Sequence, residues 1–254
     1  MATATATQSL VRIEDRYPVL AGDPKRLMTV IRENLGDLEI SPFDFSTVKI
    51  PGGGGMSFQV FDGGNVEEVK EVSGIIVHAS PRRGYWRASI DDTGGGAPPD
   101  CSSNDGVTGR GTRWDGDQDG THGCATCALA KFGSATKGGG QACKMNWAVF
   151  LLWEGEMLPR LLKIPPSSLK VFRALLISLT TKEIPKHSVL VKFGLERAKG
   201  NGTPDYARLK ITGWERLAPE TAARVAAYAE AIKPQLETIA VAPDDDASGG
   251  VDLT

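Results

Sequence analysis

Four cysteines, Cys101, Cys124, Cys127 and Cys143, carry the clearest chemical signal in this 254-residue chain. Cys124 and Cys127 form a C-x-x-C knuckle, a spacing that lets two thiolates grip one metal from a single short turn. Two more distant cysteines complete a tetrahedral set of four sulfur ligands, and soft thiolates without redox partners favour zinc. A closed four-cysteine shell leaves no open position, so the expected zinc is structural, with His122 as the alternative to Cys101. Glycines at 94–96 and 138–140 let the chain wrap tightly around such a centre.

Other chemistries of the same region are disfavoured. Disulfides belong to secreted chains, and the Ala/Thr/Gln-rich Met1–Leu10 lacks the charged-then-apolar order of a secretion signal. A thioredoxin-like pair would need a βαβ setting. A zinc deaminase needs His-x-Glu ahead of its cysteines, whereas Thr121-His122-Gly123 has no such glutamate. Asp115, Asp117, Asp119 and Gly120 begin like a calcium loop, but its twelfth position is Thr126 rather than a bidentate glutamate. The glycines at 133–140 lack the Gly-Lys-Ser/Thr ending of a phosphate loop.

A second group of residues suits a polyanion. Arg82, Arg83, Tyr85, Trp86 and Arg87 stand together, and Arg197, Lys199 and Tyr206 flank a Gly-Asn-Gly loop, with Lys192 and Lys210 on the adjoining strands. Single-strand nucleic-acid binders combine a positive groove with aromatic rings on which bases stack. The arginines and lysines are therefore expected to contact phosphates, and Tyr85, Trp86, Trp153 and Tyr206 to stack on bases. Net charge is only −2, but residues 160–216 hold twelve Lys and Arg against four Asp and Glu, while residues 217–254 hold two against seven. A basic body flanked by acidic segments suits nucleic acid.

The elements that must position these groups follow from pattern. Asp23-Pro24 opens a helix with Leu27, Ile31 and Leu35 on one stripe and Gly36 at its exit. Strand-like runs follow at Thr47–Ile50 and Met56–Phe61. Val72–Ser80 reads as a strand, Pro81–Gly84 as a turn, and Tyr85–Ile90 as the returning strand. Residues 91–143 have few large apolar side chains and cannot build a core of their own. Asn146–Trp153 and Leu158–Ile164 read as strands. Ser167 or Ser168 caps a helix over 169–181 with Phe172, Leu175, Leu176 and Leu179 on one face. Ser188–Glu196 and Tyr206–Trp214 form a hairpin. Val189, Leu190, Val191 and Phe193 cannot all face one way, so at least one must meet a partner or another layer. A last helix starts at Pro219, and Asp244–Asp246 mark an acidic tail.

This order, with a helix between the third and fourth strands, predicts a mainly β chain with flanking helices (α+β): an OB-fold barrel with a zinc-ribbon-like insert. The expected organisation is a flexible arm at 1–22, a helix and strands at 23–70 packing on the barrel, the barrel at 71–216 with its insert at 91–145, a helix at 217–240 and a disordered tail at 241–254. Residues 1–70 are expected to cover a barrel edge or to mediate self-association into a homo-oligomer.

Over residues 70–216 the chain resembles phage- and plasmid-borne single-stranded DNA-binding proteins of OB-fold type. It is also similar to a phage family marked by Cys101, Cys124–Cys127, Gly140-Gln141-Ala142-Cys143 and the helix start Pro165–Leu169. The resemblance rests on layout, insert and tail. It implies non-catalytic, sequence-tolerant binding of single-stranded DNA in replication, recombination or repair, in the cytoplasm of a bacterial or phage-infected cell, with the tail recruiting partner enzymes. Two alternatives stand beside it. One is a zinc-ribbon module that engages host transcription or replication proteins. The other is a metal-dependent nuclease using Asp91, Asp92 and the acids at 115–119. No stretch is long and apolar enough for a membrane span.

Overall fold

The computed structural model describes residues 16–36, 41, 44–52, 54–62, 64–88, 98–111, 120–136, 139–199 and 205–239. The chain is mostly β with a few helices. The strands are β1 (Thr47–Lys49), β2 (Phe58–Asp62), β3 (Asn65–Val69), β4 (Glu71–Tyr85), β5 (Cys101–Ser103), β6 (Thr108–Gly111), β7 (Gly120–Gly123), β8 (Lys144–Leu152), β9 (Arg160–Ile164), β10 (Val189–Ala198) and β11 (Tyr206–Arg216). The α-helices among the described residues are α1 (Pro24–Leu35), α2 (Leu169–Thr180) and α3 (Pro219–Thr238). None of the described helices is long and apolar enough to cross a membrane.

One mixed sheet runs β3-β2-β1-β9-β8-β4-β5-β6-β7, and the β10–β11 hairpin branches from β4. The 15-residue β4 organises it. Its first residues pair with β10, its whole length from Ile75 to Gly84 pairs with β8, and its end pairs with β5. The strand-helix order expected around α2 is present, but the sheet does not close into a barrel. The free edge of β9 is taken by β1 in parallel register (Val48↔Leu162), and no described pairing joins β9 to β11.

The centre of the sheet is buried on both faces, which explains the nearly continuous apolar runs of β4, β8, β9 and β10. On one face, Ile75, Val77, Phe150 and Leu152 pack under α3 (Val225, Tyr228, Ile232, Leu236) and α1 (Leu27). On the other, Val72, Ile76, Val149 and Leu151 pack under α2 (Phe172, Leu175, Leu179), in one core with Phe58 and Val60 of β2. The conflict in β10 is resolved between two layers: Val189, Val191 and Phe193 join the second core, and Leu190 joins the first. Gly36 ends α1 in the left-handed region (φ 62°), donating its N–H to Arg32 O at 2.8 Å.

Two local expectations are corrected. Pro81–Gly84 is not a turn and Tyr85 does not open a returning strand: β4 continues through Pro81–Gly84 and ends at Tyr85, with Pro81 opposite Trp147 and Gly84 opposite Lys144. Pro81 falls where β4 has a described strand partner on one side only, the situation in which a sheet tolerates proline. Ser168 makes no side-chain cap on α2. It is wholly buried, and its Oγ accepts the N–H of Leu209 at 2.9 Å, fastening the start of α2 to β11.

Candidate metal centre and nucleic-acid interface

Non-adjacent segments bring the four cysteines together. Cys101 starts β5 beside Tyr85. Cys143 directly precedes β8 and receives Arg83 Nη1 on its carbonyl at 3.4 Å. The knuckle is set by two backbone bonds, Cys124 N–H to Val107 O at 2.7 Å and Cys127 N–H to Cys124 O at 3.3 Å. All four side chains line one cavity of about 10 Å³ with Arg83, Tyr85 and His122. That is room for about one water-sized sphere.

Small side chains permit this approach. A Cβ on Gly109 would lie 2.8 Å from His122 Nε2 and 3.3 Å from Cys101 Sγ. Gly111, at φ 121°, runs against the backbone of Asp100, where no other residue fits.

All four cysteines are free thiols, and Cys101, Cys124 and Cys143 are buried. Burial pushes the Cys143 thiol up to about 12, opposed by Arg83 and reinforced by the other three cysteines. Burial also raises Cys101 and Cys124. His122 Nε2 lies 3.4 Å from Cys101 Sγ, and its buried Nδ1 has no partner among the described residues. Among the described residues, no three donors close on a common point as a metal's ligands would. The donor set itself, four sulfurs and an imidazole around a cavity of one-ion size, has the softness zinc prefers. Nearby Asp105 is desolvated, yet N–H donation from Thr108 and Val107 and the Ser103 hydroxyl bring its carboxyl down to about 2.

The residues expected to bind nucleic acid fall into three clusters, with Lys192 and Lys210 standing apart on the β10–β11 strands. Arg83, Tyr85, Trp86 and Arg87 stand at the cysteine end of β4. Arg83 and Tyr85 line the cavity, Arg87 is exposed, and its backbone N–H binds the Asp100 carboxylate at 2.7 Å. Arg197, Lys199 and Tyr206 stand at the tip of the β10–β11 hairpin, with Arg197 3.8 Å from Asp205. This tip lies past Glu71, beyond the other end of β4, so roughly 40 Å of strand separates it from the first group. Lys192 is paired with Glu215 at 2.7 Å, and Lys210 is exposed on β11. The third group faces inward. Arg82 is fully buried and donates to Leu236 O at the end of α3 at 3.2 Å. A group buried there cannot meet a phosphate, which corrects its expected role. Trp153 packs against the second core, with the Arg160 guanidinium 4.4 Å above its ring.

Among the described residues, the α3-side face of β8 and β9 offers no groove for a strand. Its outward residues, Ala148, Phe150, Leu152 and Leu161, belong to the core under α3. What the sequence reading missed is basic and exposed around the cysteines: Arg110, Lys131 and Lys144. The available signal was the position of Lys131 four residues after Cys127 and of Lys144 directly after Cys143. Asp91, Asp92, the acids at 115–119 and the tail at 244–246 lie outside the described residues. Comparison with protein-family models, curated proteins and solved structures found no match.

Proposed function

We propose that this chain is a non-catalytic, sequence-tolerant single-stranded DNA-binding protein that acts in DNA replication, recombination or repair. Its contact surface is the cysteine-centred end of β4. One observation carries the reading: Arg83 and Tyr85 line the same cavity as the four cysteines, and Trp86 and Arg87 follow directly on the chain. Arg110, Lys131 and Lys144 add exposed cations on the segments leaving that cavity. Cys101, Cys124, Cys127 and Cys143 would hold a structural zinc, with His122 beside Cys101. A bound zinc supplies cross-linking of segments that have little apolar packing of their own. The pairing of β4 with both β8 and β10, and α2 between β9 and β10, support descent from an OB-type arrangement opened by β1.

The test is anisotropy titration of labelled oligo-dT, matched duplex and RNA at several salt concentrations, with zinc measured on the same sample. We expect tight dT binding that weakens steeply with salt and about one zinc per chain. The double variant Arg87→Ala/Lys144→Ala should lower the slope of log K against log salt by about 1.4, two single-strand phosphate contacts' worth. Absence of binding to any single strand at low salt would overturn the reading.

A further inference from the structure

The two most exposed large apolar side chains among the described residues both belong to the cysteine module. Phe132 is 79% exposed and Val107 65%. A single exposed apolar residue is ordinary, but Phe132 is held out by a stitched loop. Gly133, at φ 83°, donates its N–H to Gly139 O at 2.8 Å. The Ser134 hydroxyl donates to Leu129 O at 2.9 Å and accepts the Ala142 N–H at 2.9 Å. Cys143 N–H closes the loop on Leu129 O at 2.8 Å. These bonds fix the backbone on both sides of the ring without burying it. Lys131, next to it in the chain, and Lys144, at the start of β8 just after the loop, are exposed as well.

An uncovered aromatic ring on a hydrogen-bonded loop, with a cation beside it in the chain, is the kind of element that single-strand binders use to stack a base. We infer that Phe132 is a base-stacking platform for single-stranded DNA, carried by the loop between Cys127 and Cys143. This rests on the DNA-binding reading above and adds to it a contact residue outside the strands of the central sheet. Stacking is non-ionic, so it separates from phosphate contacts by its salt behaviour: a stacking residue sets the affinity, and a phosphate contact sets the slope.

The experiment uses the full chain and fluorescein-labelled oligo-dT. Phe132→Ala should weaken binding roughly 5- to 150-fold with an unchanged salt slope. Lys131→Ala should lower the slope by about 0.7. Phe132→Leu, which keeps apolar bulk but no ring, should lose as much as the alanine variant, and Phe132→Tyr should bind like the parent. Zinc content should be equal in all of them, excluding collapse of the loop. Parent-like affinity of Phe132→Ala would overturn the inference and leave the DNA reading standing. So would parent-like affinity of Phe132→Leu, which would mark the contact as apolar docking, as to a protein. A parent chain that binds no single strand would instead overturn the DNA reading itself.

Discussion

The sheet body and the cysteine module are built on opposite principles, and they share one strand. From Glu71 to Val77, β4 lies between two apolar cores, with Val72 and Ile76 facing α2 and Ile75 and Val77 facing α3. Beyond the bulge between Ile76 and His78, the face under α3 becomes polar: His78, Ser80 and Arg82, with Asn146 opposite Arg82. At its end, β4 passes to strands of three or four residues, β5 to β7, whose large apolar side chains are few. The body is held by burial of apolar area. The module holds its cysteines around a cavity and exposes Val107 and Phe132. Apolar burial therefore accounts for order in the body, while the module, with little such burial, is where the proposed zinc would supply order.

Withdrawing the proposed zinc is the strongest way to test that division. A structural zinc contributes on the order of 10 kcal/mol to small modules of this kind. Cys143→Ser, or a strong chelator, should abolish zinc binding and amide-exchange protection over Cys101–Gly111 and Gly120–Cys127. Protection in β4, β8 and β10 should persist. Exchange that rises together across the chain would show one cooperative unit, and unchanged exchange in the module would show that it needs no metal. The reverse experiment removes a body residue. Phe172 is fully buried and meets the Trp147 ring edge-on at a centroid separation of 5.4 Å. Phe172→Ala should cost about 3–5 kcal/mol, read as a lower urea midpoint, with one zinc per chain retained below the transition. Loss of zinc without denaturant would join the two regions.

The sequence made some of this legible and hid the rest for physical reasons. Helix α2 and the β10–β11 hairpin follow from local signals: a 3.6-residue stripe through Phe172, Leu175 and Leu179, and alternating residues around a glycine-rich loop. The convergence of the cysteines was visible in the tight spacing of Cys124 and Cys127. The continuation of β4 through Pro81 was not, because Pro-Arg-Arg-Gly has turn chemistry and only the distant pairing with Trp147 overrides it. The bulge before His78 shifts the alternation by one residue, and this sends Arg82 inward and leaves Arg83 and Tyr85 on the cavity side. The openness of the sheet was equally hidden, since it depends on three residues of β1 reaching the edge of β9. In each case a non-local contact decided against a local preference.

The polar seam between the two regions supplies the smallest test. Burial first, then the positive charges of Lys186, Arg82 and Lys233, pull His78 down to about 4 from an ordinary 6.5. The unfolded chain therefore binds a proton at His78 more readily than the folded one. Stability from this residue is fully present above about pH 6.5 and is lost as pH falls toward 4. Between pH 7.5 and 5 the loss should be about 2 kcal/mol, seen as a falling urea midpoint. His187, also lowered by burial, acts in the same direction, so the decisive quantity is a difference. His78→Gln keeps a polar side chain in the seam but cannot titrate, and its midpoint should fall less than the parent's over that interval. Equal falls would mean that the imidazole is not excluded from water. The seam would then open to solvent beneath α3, and the boundary between body and module would lie before His78 rather than beyond Arg82.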